Sequence, residues 1–154
     1  MTDKMKRLEK EAVTKLAFLS DAHGFSRLLT KRDKWTTTIS ALSTDIAVEI
    51  ELDWRELDVF VLITALADGE LPGGYYVSSG KKCRIHLENV LKDRCGVSDA
   101  DLRNSVKPQV ARSERDECTM ERRLDEYLRL AKQHISEIRE RGVRLFEGGA
   151  GVSP

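Results

Sequence analysis

Between Ile46 and Asp53 the chain alternates: Ile46, Val48, Ile50 and Leu52 point one way, and Ala47, Glu49, Glu51 and Asp53 the other. A period of two belongs to strand, where successive side chains leave opposite faces. The segment is therefore a strand with one apolar side and one acidic side, which excludes an all-helical fold. The period extends to its neighbours. Trp35, Thr37, Ile39 and Ala41 alternate before it, and Leu57, Val59, Val61, Ile63 and Ala65 after it. Phe25 to Lys31 reads as a first strand, with Leu29 beside Phe25 on one face. Short polar connections at Asp33-Lys34, Ser43-Thr-Asp45 and Asp53-Trp-Arg-Glu56 suit hairpins, so the four strands form an antiparallel meander.

The flanks carry the helical period. Met5, Leu8, Ala12, Leu16 and Leu19 make one apolar stripe, and Gly24 ends it. Ile85 to Arg94 reads as a short helix closed by Gly96, and Ser98 with Asp101 caps another that Pro108 ends. From about Glu114 to Arg141 a long helix places Leu124, Tyr127, Leu128, Ala131, Ile135 and Ile138 on one stripe. The expected class is α+β: an N-terminal helix, a four-stranded antiparallel β-meander, then short helices and a long C-terminal helix. At 154 residues one core suffices. The expectation is a single domain over 1–147 and a flexible tail over 148–154.

Charge excludes some functions and suggests others. Net charge is zero, against the basic excess of dedicated nucleic-acid binders. The distribution is uneven: residues 35–70 carry −7, whereas 1–34 and 71–112 each carry +4. Cys83, Cys95 and Cys118 follow no disulfide framework, and no apolar run has signal-peptide or membrane-span character. The expectation is a cytoplasmic chain with free thiols and no membrane partner, monomeric or homodimeric.

Motifs for chemistry fail on spacing. Gly74-Tyr-Tyr-Val-Ser-Ser-Gly80-Lys81-Lys82 has five residues between its glycines, where a phosphate-binding loop has four, and Lys82 stands where a magnesium-holding hydroxyl belongs. Cys83 and His86 share a spacing of three, but Cys95 is too far along to complete a zinc site with them. His23 and His134 have no motif partner for acid–base or nucleophilic work, and no EF-hand pattern is present. The reading therefore assigns no catalytic, metal or cofactor residues.

Two features remain. Asp45, Glu49, Glu51, Asp53, Glu56 and Asp58 crowd a strand–turn–strand, with successive side chains on one strand face about 7 Å apart. Such a set is either a solvated face balanced by Lys31, Arg32 and Lys34, or a surface for a basic protein, with Trp54 at the turn as its anchor. The glycine-rich connection 68–81, long enough to carry function, presents Tyr75 and Tyr76. A helix before Gly24-Phe25, a meander containing Ile46-Ala-Val-Glu-Ile-Glu-Leu-Asp53 and Leu57-Asp-Val-Phe-Val-Leu-Ile63, and helices beyond resemble small uncharacterised bacterial proteins, some of them immunity proteins that neutralise toxins. That resemblance spans roughly residues 5–95 and implies a stoichiometric protein inhibitor without chemistry of its own; it carries over no site residues.

The expected function is thus a protein-binding module of immunity type, docking a basic partner through Asp45, Glu49, Glu51, Asp53, Trp54 and Asp58, with Tyr75 and Tyr76 as a second surface. The rival is a small enzyme or ligand-binding protein with its site between the sheet and the 68–81 loop. A flat acidic face with exposed Trp54 favours the first; a pocket of converging polar groups favours the second.

Overall fold

The apolar side of the meander strands needs a cover, and the helical stripes supply it. A computed structural model describes residues 2–106 and 110–147. Helix α1 (Asp3–Leu16) is capped by the Thr2 hydroxyl and runs into a short α2 (Phe18–Ala22). Strands β1 (Arg27–Arg32), β2 (Thr36–Leu42), β3 (Ile46–Asp53) and β4 (Asp58–Ala65) follow as antiparallel hairpins. A small hairpin of β5 (Val77–Ser78) and β6 (Lys81–Lys82) interrupts the glycine-rich connection before β7 (Arg84–His86). Helices α3 (Leu87–Arg94), α4 (Asp99–Ser105) and α5 (Glu117–Arg141) follow, with 3₁₀ turns at Arg112–Glu114 and Gly142–Phe146.

The class is the one expected from the sequence, α+β with an antiparallel sheet and a long C-terminal helix. The sheet has a fifth strand: β7 pairs antiparallel with β4, giving the order β1-β2-β3-β4-β7. Arg84-Ile-His86 is too short to show a period, which is why the segment reads as the start of a helix. Three other boundaries shift. Phe25 precedes β1 and is buried in the core, while Leu29 is exposed on the edge strand. The first helix breaks at Ala17. The long helix starts at Glu117, where Asp116 and Thr119 cap each other's backbone N–H groups. Pro108 and the 148–154 tail lie outside the described residues.

The register assigns the faces. Ile39, Ile50 and Val61 are aligned across β2, β3 and β4, as are Ala41, Val48 and Ile63. This side packs on Leu8, Ala12 and Leu16 of α1, Leu87, Val90 and Leu91 of α3, and Met120, Leu124, Tyr127, Ile135 and Ile138 of α5 to form the core. The opposite side carries the rows Leu29–Ser40–Glu49–Leu62–His86 and Lys31–Thr38–Glu51–Phe60. Among the described residues no helix is long and apolar enough to cross a membrane.

Candidate functional site: the roofed polar face of the sheet

Antiparallel sheets often leave one face to solvent, but here the second face has a cover of its own. The connection between β4 and β7 leaves the sheet at Leu66, crosses its polar face and returns through Cys83. Two tight turns shape it. Asp68-Gly69 and Ser79-Gly80 all have positive φ, the geometry of two-residue hairpin turns, the second joining β5 to β6. Gly74 is required for another reason: a Cβ there would stand 1.8 Å from the Val77 carbonyl oxygen.

Arg84 pins this roof to the sheet. Its Nε donates to Glu49 Oε1 at 2.7 Å, and its Nη1 donates to the carbonyls of Gly74 and Tyr75 at 2.8 and 2.9 Å. The guanidinium also lies 5.1 Å from the centre of the Tyr75 ring. Cys83 donates its thiol to the Tyr75 carbonyl at 3.0 Å. At the far edge Arg27 of β1 forks onto Glu70 at 3.1 and 3.2 Å, and the hydrogen bond and charge of Arg27 hold the Glu70 carboxyl below its ordinary range.

Glu49 is the centre of the arrangement. It is only 2% exposed and accepts from Ser40 Oγ at 2.7 Å, from Thr64 Oγ1 and from Arg84. A charge taken out of water persists only when it is paired and hydrogen-bonded, and three donors meet that requirement. Glu51 lies one row further along and accepts the Tyr75 phenol at 2.8 Å. Burial, followed by the hydrogen bond and charge of Glu51, raises the Tyr75 phenol, which therefore stays protonated and donating. Tyr76 stands edge-on to Tyr75, its hydroxyl 2.8 Å from His86 Nε2. Nδ1 of His86 is buried with no hydrogen-bond partner among the described residues.

Beneath and beside the roof lies an open cleft of about 630 Å³, lined by Leu29, Lys31, Thr36, Thr38, Glu51 and Tyr75 among others. Among the described residues no side chain bonds the hydroxyls of Thr36 or Thr38, and no ion pair engages Lys31 or Asp33. These uncommitted groups, with the second oxygen of Glu51, leave the cleft lined by both donors and acceptors.

The acidic set read from the sequence does not form one surface. Glu49, Glu51 and Asp53 do share a sheet face, but Glu49 is buried. Asp45 pairs with Arg139 of α5 at 3.3 Å, and Asp53 accepts the backbone N–H groups of Arg55 and Glu56 to form its turn. Asp58 lies 2.8 Å from Arg123 Nε, in an ion pair whose angle is poor for a hydrogen bond, and 3.9 Å from Arg115. Trp54 is not an exposed anchor: it is 9% exposed within the core, and its Nε1 donates to Thr37 Oγ1 at 2.9 Å. Trp35 is the exposed tryptophan, flanked by the cations of Lys34 and Arg55. Tyr75 and Tyr76 remain accessible at 43% and 48%, and Val77 continues their exposed crest.

Arg84, Ser40 and Thr64, which complete the centre, were not singled out by sequence reasoning. The signal was weak: a lone Arg between apolar residues, and hydroxyls of ordinary strand composition. His86, Cys83 and Cys95 stand on a sheet face, under the roof and at a helix end, and do not converge. Fold and site together define an α+β protein with helices on one sheet face and a glycine-rich roof over a polar cleft on the other. Comparison with protein-family models, curated proteins and solved structures returns no match to this chain.

Proposed function

We propose that the chain binds a small polar ligand of zwitterionic character in the cleft between the sheet and its glycine-rich roof. The observation that carries this reading is the convergence of Lys31, Asp33, Thr36, Thr38 and Glu51, without partners that consume them, on a concave space of about 630 Å³. Sites for small molecules are concave, partly apolar, and oriented by a few polar groups. Leu29, Leu62, Leu71 and Pro72 supply the apolar share. Lys31 pairs with a ligand anion, Glu51 and Asp33 with its cation, and the two threonines with its remaining donors and acceptors. The buried Glu49–Arg84 pair holds the roof in place, a supporting role in binding.

A thermal-shift and ligand-observed NMR screen over amino acids, betaines, nucleosides and sugars tests this. A zwitterion that stabilises the wild type and loses affinity in both Thr38→Val and Glu51→Gln supports the reading. Binding by none of the panel, or binding indifferent to both substitutions, refutes it.

A second reading, an immunity-type stoichiometric inhibitor of a protein partner, is favoured by one feature, the contiguous exposed crest Tyr75-Tyr76-Val77. Aromatic residues beside a cleft are typical interface anchors. A basic side chain of the partner would then enter the cleft beside Glu51. Affinity capture by wild type that fails with folded Tyr76→Ser/Val77→Ser, together with an empty metabolite screen, would move the assignment to this reading.

A further inference from the structure

Away from the sheet cleft, α3 and α5 bring Cys95 together with two side chains that lie 39 and 42 residues further along the sequence. Cys95 ends α3, while His134 and Glu137 are three apart on α5 and so share one helix face. One ligand atom from each lies within 4.8 Å of the others, and each side chain is half-buried. Thiolate, imidazole and carboxylate are the three donor types that bind zinc. We propose that Cys95, His134 and Glu137 form a site for a zinc-class divalent ion, with three protein ligands and a fourth position left for water or an exogenous ligand.

The geometry suits the ion. Zn–S near 2.3 Å and Zn–N or Zn–O near 2.0–2.1 Å place tetrahedral ligand atoms about 3.3–3.6 Å apart. The three ligand atoms already lie within 4.8 Å of one another, so closing on an ion needs a contraction of at most about 1.5 Å. The Cys95 backbone is held by a closed helix end: its N–H and that of Val97 both return to the Leu91 carbonyl, and Gly96 takes the left-handed conformation at φ +74. Arg141 Nε donates to Glu137 Oε2 at 3.2 Å, which orients the carboxylate and leaves its other oxygen for a metal. His134 also lines a cleft of about 310 Å³ with Asp101, Asn104 and Gln133, an approach for the ion and for whatever fills the fourth position. Among the described residues this is the one cluster of three or more such donors.

Charge and protons balance. Burial, then the neighbouring Glu137 charge, pushes the Cys95 thiol up to about 11, so the metal-free chain holds a protonated thiol at neutral pH. Coordination converts it to thiolate and releases that proton to solvent. Thiolate and carboxylate then match the charge of the dication beside a neutral imidazole, and the Arg141 guanidinium on Glu137 adds one positive charge at the rim. A sulfur ligand selects against calcium and magnesium, which take oxygen.

The test uses the full chain stripped of metal and titrated with Co²⁺ as a spectroscopic stand-in. The expected result is one ion per chain, with a thiolate-to-cobalt charge-transfer band and tetrahedral d–d absorption, both lost on adding one equivalent of Zn²⁺. Cys95→Ser should abolish the charge-transfer band, His134→Ala and Glu137→Gln should each weaken binding more than about tenfold, and Cys118→Ser should change nothing. Because Cys95→Ser also changes the helix end itself, alkylation of wild type provides an independent reading by peptide mass spectrometry. Zn²⁺ should protect Cys95 selectively and leave Cys118 reactive. Absence of a charge-transfer band in wild type, its survival in Cys95→Ser, or no protection of Cys95 overturns the proposal.

Discussion

Replacing Arg84 by methionine keeps most of the side-chain bulk and removes the cation that faces Glu49. The two side chains are 11% and 2% exposed and 2.7 Å apart, so solvent does little to screen the loss. Removing one member of a buried ion pair costs about 3–5 kcal/mol, because the other charge stays behind without compensation. Two effects act on that figure in opposite directions. Ser40 and Thr64 still donate to Glu49 and moderate the penalty; the carbonyls of Gly74 and Tyr75 lose their donor and add to it. The expected loss is about 3 kcal/mol, out of the 5–15 kcal/mol typical of a domain. In a chain of this size that lowers Tm by roughly 6–12 °C. The assay is urea unfolding followed by tryptophan fluorescence and by circular dichroism, comparing midpoints at constant slope. The double variant Glu49→Leu/Arg84→Met removes both charges, and apolar replacement of a buried pair is often neutral or better. It should therefore recover at least half of the single-variant loss, a coupling of about 1.5 kcal/mol or more. A loss below about 1 kcal/mol for Arg84→Met, or simple addition of the two single losses in the double variant, would refute the reasoning.

The two tryptophans should separate cleanly: Trp54→Ala costs about 3–5 kcal/mol by opening the core, whereas Trp35→Ala stays within about 1 kcal/mol, the scale of an exposed cation–π contact, and iodide should quench only Trp35. Gly74→Ala forces the roof to move off the Val77 carbonyl, so faster amide exchange over residues 72–84 is expected with little change in the core strands. Ser79 holds a positive φ that asparagine tolerates better, so Ser79→Asn should stabilise the chain by about 0.5 kcal/mol in the same unfolding assay. Arg27 lowers the Glu70 carboxyl, so this pair supports folding above the unfolded glutamate value near 4.3 and ceases to as pH falls through the lowered folded value. An NMR titration should place Glu70 below the ordinary range in wild type and return it there in Arg27→Ala.

The strands of the meander and the helical stripes were legible in the sequence because they are periodic and local. Ile46 to Asp53 alternates whatever lies beyond it, and Leu124, Tyr127, Leu128, Ala131, Ile135 and Ile138 recur on one helical face before any partner is known. That Glu49, Glu51 and Asp53 share a face followed from the same periodicity. What lies opposite that face did not, because alternation orders residues along a strand and says nothing of what packs against them. The roof is a segment of glycines, turns and two-residue strands without a period, and its position depends on long-range contacts: Arg84 to Glu49, Tyr75 to Glu51 and Arg27 to Glu70. Those contacts turned an expected acidic surface into a lined cleft. Trp54 joined the core because the β3–β4 turn brings its indole N–H onto Thr37, a pairing invisible from its place in a polar turn. The grouping of Cys95 with His134 and Glu137 rests likewise on the packing of α3 against α5. Local sequence sets which way each side chain points; only the closed tertiary structure decides which of them meet.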